Sequence, residues 1–103
     1  MQSEPIVERR AHVLPHPDRA FTIVSVEQRE SGIRDCVLLD IHAKRAGQSR
    51  RMVLHCRGDM PSVGDSIQRK RRRGGIAAVW ARSGTTEIVG GGFTTAAVPD
   101  VWR

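Results

Sequence analysis

Five consecutive cations, Arg69, Lys70, Arg71, Arg72 and Arg73, run into Gly74-Gly75 and then into the apolar stretch Ile76 to Ala81. Read as a strand, the cationic run places charge on both faces by alternation, so neither face can be buried. Gly74-Gly75 is a two-residue turn signal, because glycine accepts the positive φ of tight hairpin turns. The segment from Asp65 to Trp80 therefore reads as a β-hairpin with a basic tip that projects past whatever sheet holds Ile67. A turn at Gly74-Gly75 pairs Arg73 with Ile76, Arg71 with Ala78 and Arg69 with Trp80, and sets Ile67 opposite Arg82. Ala77 and Ala78 leave room for arginine stems to lie across the ribbon, and Arg69 over Trp80 is a cation–π pair.

The rest of the chain supplies a body for that hairpin. Arg34 to Lys44 alternates cleanly: Val37, Leu39, Ile41 and Ala43 form one apolar face, and Arg34, Cys36, Leu38, Asp40 and His42 the other. Ala46-Gly47-Gln48-Ser49 closes a hairpin onto Arg51 to Arg57, with Met52, Leu54 and Cys56 inward and Arg51, Val53, His55 and Arg57 outward. Ala20 to Gln28 is an earlier strand, and its apolar parity shifts between Ile23 and Val24, which suggests a β-bulge or burial on both faces. Glu30-Ser31-Gly32 forms a turn. Gly58 to Asp65 is a loop into the strand at Ser66. Ser83-Gly84 turns into a last strand, Thr85 to Val89, which Gly90-Gly91-Gly92 breaks. No helical period outlasts a turn or two.

Residues 1–19 form an irregular lead in which Pro15 and Pro17 stop any helix and Ile6 to Leu14 can add a short edge strand. Residues 93–103 form a tail whose Val98, Val101 and Trp102 suit partial docking. A chain of 103 residues has room for one modest core, here 20–92. The expected fold is all-β: a small antiparallel barrel or curved sheet of about five or six strands, OB-like or a related small barrel. No secretory leader is visible at Met1 to Pro5, and no apolar run approaches membrane-spanning length, so a cytoplasmic location is expected. Cys36 and Cys56 are too few and too unpatterned for a disulfide framework.

The residues able to carry chemistry are Cys36, Cys56, His42, His55, Asp40 and Asp65. Cys36, Asp40 and His42 share a strand face but are strung along it, and His55 and Cys56 point to opposite faces. An enzyme is not expected. His12 and His16 have an i, i+4 spacing that only a helix would bring together, which Pro15 and Pro17 oppose, and no metal or other cofactor is implied. The glycine run at 90–92 lacks the lysine and hydroxyl of a phosphate loop.

The formal net charge is +6, and the five hairpin cations account for all but one unit of it. So local an excess favours an anionic partner, foremost nucleic acid. The chain is only 4% aromatic, which disfavours base stacking on single strands. Phosphate contact with duplex DNA or structured RNA is the expected mode, through Arg69, Lys70, Arg71, Arg72 and Arg73, with Arg51 and Arg57 as secondary contributors. The rival reading is a protein-interaction module that docks an acidic partner or pairs through an edge strand. A weaker one is recognition of anionic lipid headgroups.

Overall fold

The structure, a computed structural model, describes residues 12–72 and 75–94. Six antiparallel strands close into a barrel: β1 (Phe21–Glu30), β2 (Val37–Arg45), β3 (Gln48–Gly58), β4 (Ser66–Arg72), β5 (Gly75–Ala81) and β6 (Ile88–Phe93). Around the ring the order is β1-β2-β3-β6-β5-β4, with β4 returning to β1. The all-β barrel read from the alternating pattern is the fold observed. Closure matters for a chain this small, because it leaves few unpaired edges and encloses a core from strands one side chain deep.

The inward side chains follow the alternation. Leu39, Ile41, Ala43, Met52, Leu54, Cys56 and Ile67 are buried, joined by Phe21, Ile23, Ala78 and Trp80, while Val37 packs against them half-buried. Arg51 and Arg57 are exposed, as their parity requires. Leu39 is fully buried at the centre of this cluster. Leu39→Ala should cost about 2–5 kcal/mol by chemical denaturation. A loss much under 1 kcal/mol would place Leu39 at a site able to collapse around the missing atoms.

The bulge is present: Ile23 pairs with Ala43 and Ser25 with His42, so Val24 is the extra residue, and Val24 is exposed. The β2–β3 turn has positive φ at both Ala46 and Gly47, as a two-residue hairpin turn of the I′ type needs.

Several boundaries differ from the sequence reading. β2 starts at Val37, not Arg34, because Asp35 takes a left-handed φ of 62° and Cys36 N–H bonds back to Ile33 in the connecting loop. The hairpin β4–β5 forms as expected but two residues out of the expected register. Ile67 pairs with Trp80, Arg69 with Ala78 and Arg72 with Gly75; Arg73 and Gly74 lie outside the described residues. Arg69 therefore does not stack on Trp80. The indole is fully buried in the core, with Nε1–H donating to the Asp59 carbonyl at 2.9 Å.

The glycine run is the other correction. Gly90, Gly91 and Gly92 lie inside β6, paired to both β3 and β5, where the sequence suggested a break. A Cβ on Gly90 would sit 2.5 Å from Trp80 Nε1 and 2.5 Å from the Asp59 carbonyl, and one on Gly92 would sit 3.0 Å from Leu54 Cβ. These glycines let β6 lie flush over the bulkiest core residue.

The lead is partly strand-like. Val13 bridges Glu87, and Leu14 is buried on the outside of the sheet with Val79 and Ala81. One 3₁₀ turn, Pro17–Arg19, follows before β1. Ile6 and the tail residues Val98, Val101 and Trp102 lie outside the described residues, whereas Phe93 belongs to β6.

One end of the barrel is clamped by Asp65. Its buried carboxylate accepts from Ser62 N–H at 2.8 Å, from Arg82 Nη1 at 2.7 Å and from Ser83 N–H at 3.2 Å. Burial alone would push its pKa up, but these donors, Ser62 N–H foremost, hold it below the ordinary aspartate value. A carboxyl with a lowered folded pKa contributes its full stabilisation above the unfolded value of about 4 and loses it as pH falls through the folded one. Asp65→Asn is expected to cost about 1–3 kcal/mol at neutral pH. That deficit should shrink in strong acid, where the wild-type carboxyl is also neutral. A deficit constant from neutral to acid pH would show that the negative charge is not what these donors hold.

Candidate nucleic-acid interface

Strand direction alone decides which residues share an end of the barrel. β1, β3 and β5 start, and β2, β4 and β6 finish, at the end opposite Asp65. That end gathers the 3₁₀ turn with Arg19, the β2–β3 turn with Lys44, Arg45 and Arg50, and the basic hairpin with Arg69 and Lys70. Cations from three separate parts of the chain thus meet at one end.

The hairpin projects, as its charge demanded. β1 pairs with β4 only at Phe21–Ile67 and Thr22–Ser66, and β6 reaches β5 no farther than Ala77. Among the described residues, the rungs Arg71–Ile76 and Arg72–Gly75 have each other and no further strand. Arg69 and Lys70 are exposed. Lys70 pairs with Ala77 on the outer face, and Arg69 with Ala78 on the face that continues into the core.

The two secondary candidates are differently placed. Arg51 lies on the outside of β3 and grips Asp40 with two hydrogen bonds, Nε to Oδ1 at 2.9 Å and Nη2 to Oδ2 at 2.8 Å. This bond first, against the effect of burial, keeps the Asp40 carboxyl below its usual range and Arg51 above its own. His42 Nε2, at 3.8 Å, and Arg29 Nη2, at 4.0 Å, also face Asp40. Much of the charge on Arg51 is thereby compensated within the sheet. Arg57 Nε points at Cys36 Sγ, 3.4 Å away, at the other end of β3. Arg57 thus lies away from the basic end, and Arg51, one residue beyond Arg50, is engaged by Asp40.

Arg19, Lys44, Arg45 and Arg50 do not stand out as a group in the sequence. A signal did exist: Lys44-Arg45 and Arg50-Arg51 flank the Ala46-Gly47 turn, so a hairpin there carries cations at its tip. What was not visible is that this tip and the one at Arg72–Gly75 lie at the same end.

The residues weighed for catalysis are held in structural contacts. Cys56 is buried and its thiol is pushed up to about 11 by that burial and by Cys36 nearby. Asp65 is the loop clamp described above. His55, expected on the open outer face, is covered: its Nδ1 lies 2.8 Å from Ser31 Oγ and its ring 5.7 Å from that of Phe93. Ser31 Oγ also accepts the Ile33 N–H at 3.0 Å. This serine–histidine pair satisfies a buried imidazole, and among the described residues no carboxylate bonds His55 to orient it as a base. His16 donates its backbone N–H to Gln68 and His12 accepts Ile88 N–H through its carbonyl. Among the described residues no three of His, Cys, Asp and Glu are grouped to hold a metal ion, and no helix is long and apolar enough to cross a membrane.

Comparison with protein-family models, with curated proteins and with solved structures returns no match.

Proposed function

We propose that the protein binds nucleic acid through its phosphate backbone, using the basic end of the barrel with the projecting hairpin as the principal arm. The observation that carries this reading is the convergence at one end of Arg19, Lys44, Arg45, Arg50, Arg69 and Lys70, beside the strand positions of Arg71 and Arg72. Among the described residues, the acidic residues held in ion pairs, Glu27, Asp40, Asp59 and Asp65, lie elsewhere. A two-stranded ribbon standing clear of its barrel suits a groove of duplex DNA or a ridge of structured RNA. Phe21 and Trp80 are buried in the barrel interior, which removes two of the four aromatic residues from base stacking.

The test is a binding series with duplex DNA, single strands and structured RNA across salt concentrations. Engagement of most of the hairpin run implies a log–log slope of roughly −3 to −5 on duplex DNA, through counterion release. Heparin should compete with nucleic acid. A slope near zero, or selective binding of one folded acidic protein that heparin does not displace, would favour the protein-interaction reading instead.

A further inference from the structure

At the basic end the barrel is open, and its mouth is a recess of about 270 Å³ lined by His16, Arg19, Phe21, Arg45, Arg50, Met52, Gln68 and Arg69. Three of its arginines stand at positions that alternation assigns to the barrel interior. Arg45 follows Ile41 and Ala43 on β2, Arg50 precedes Met52 and pairs with Ala43 on β3, and Arg69 follows Ile67 and pairs with Ala78 on β4. The strands thus carry their apolar interior up to Phe21 and Met52 and then replace it with guanidinium. The Arg45 and Arg50 guanidiniums lie 4.8 and 5.6 Å from the centroid of the Phe21 ring.

The walls are tethered before any ligand arrives. Arg45 donates to the Arg19 carbonyl at 2.8 Å and to Gln48 Oε1 at 3.2 Å, and His16 N–H donates to Gln68 Oε1 at 3.0 Å. Among the described residues, Arg19, Arg45 and Arg50 make no ion pair with a carboxylate, and Asp18 on the same turn is exposed and does not line the recess. If these arginines served only to cap the core, one long stem over Phe21 would suffice. Two guanidiniums over one small recess that Arg19 and Arg69 also line instead describe a site for concentrated negative charge.

We infer that the barrel mouth binds a terminal phosphate, a phosphomonoester, and that its source is the end of a nucleic-acid strand held by the hairpin. The second half of this statement rests on the function proposed above; the first does not. Size and charge favour the monoester over an internal diester. The recess falls just short of the roughly 300–1,000 Å³ typical of whole-ligand pockets, so it suits a group rather than a whole nucleotide. A monoester carries about −1.5 to −2 charges at neutral pH and enters end-on. A diester carries a single charge and is flanked on both sides by sugars that a concave mouth excludes.

The experiment is an NMR titration of the full chain, following backbone amides and arginine Nε resonances, at constant ionic strength set with sodium chloride. The probes are inorganic phosphate, a nucleoside monophosphate, and one duplex oligonucleotide made with either a terminal phosphate or a terminal hydroxyl. Phosphate and monophosphate should move the resonances of Phe21, Arg45, Arg50 and Arg69. The phosphate-ended duplex should bind about tenfold tighter than the hydroxyl-ended one, the worth of one charge-assisted hydrogen bond or more. Arg50→Met, which keeps an apolar stem over Phe21, should bring that ratio near one. Serine at Arg71, Arg72 and Arg73 together should weaken both duplexes and leave the ratio intact. If the serine variant loses no affinity while the monophosphate still moves the mouth resonances, the mouth is a phosphomonoester site for a free ligand and the strand as source is overturned. If no phosphate probe moves those resonances beyond the chloride control and the two duplexes bind alike, the mouth is not a phosphate site, whatever the hairpin does. The wild-type titration decides this even if a variant fails to fold.

Discussion

Serine at Arg71, Arg72 and Arg73 together should flatten the salt dependence of duplex binding by about 2 to 3 units and weaken all sequences alike. Each phosphate neutralised by a hairpin cation releases condensed counterions, and this contribution is blind to base identity. The rungs that carry Arg71 and Arg72 stand beyond the last pairing to β1 and to β6. Arg34→Ser is the matched control. Arg34 is exposed and lies in the β1–β2 loop at the opposite end of the barrel, and its loss should change the slope by much less than one unit. Should the triple variant keep its circular dichroism, its affinity and its slope, the hairpin is not where nucleic acid binds, and docking of an acidic protein becomes the better account.

Gly90→Ala should be the most damaging glycine-to-alanine change among the described residues. The new Cβ would meet Trp80 Nε1 and the Asp59 carbonyl at 2.5 Å each, and Trp80 Cε2 at 2.9 Å. Those first two atoms are donor and acceptor of one hydrogen bond, so the methyl group cannot be accommodated without parting them. Overpacking costs about 1–3 kcal/mol, and a buried indole N–H left without its acceptor about as much again. A loss of roughly 2–6 kcal/mol follows, a large share of the about 5–15 kcal/mol that a small domain has. Gly91→Ala is the comparison, because its Cβ would come no nearer than 3.2 Å to the Ala78 carbonyl and 3.5 Å to Val79 Cγ1. Neither glycine has the positive φ that would add backbone strain. Equal melting temperatures for the two variants would mean that β6 does not lie against Trp80 as described.

The two outcomes read different parts of the molecule. The salt experiment addresses an arm that the barrel merely carries, and the glycine experiment addresses the seam that keeps the barrel shut. A triple-serine variant that unfolded would contradict the independence of arm and core.

Period-two alternation is a local property, and what depends on it was legible in the residues alone. It identified the inward set Leu39, Ile41, Ala43, Met52, Leu54 and Ile67 and the parity break after Ile23, while the Gly74-Gly75 turn signal, equally local, gave the antiparallel pairing of the basic strand with Ile76 to Ala81. It also required the run from Arg69 to project, since charges on alternate faces have nowhere to be buried. The two-residue error in hairpin register left every face unchanged, because an even shift preserves parity.

Tertiary structure decided the rest, through contacts between residues far apart in the chain. The Gly90 to Gly92 run reads as a breaker because glycine lacks β propensity, but the space beside Trp80 and Leu54 admits no side chain, and only the closed ring creates that space. His55 reads as an outer-face residue, and Ser31 and Phe93 cover it from other elements. Arg51 reads as a free cation, and Asp40 on the neighbouring strand claims it. The basic mouth depends on the same kind of contact. Arg19, Arg45, Arg50 and Arg69 come together only because β4 closes onto β1, a pairing of two rungs that joins residues more than forty positions apart. Alternation can say that Arg45, Arg50 and Arg69 point inward. It cannot say that they point into the same opening, because that follows from strand order around the ring, which long-range packing selects.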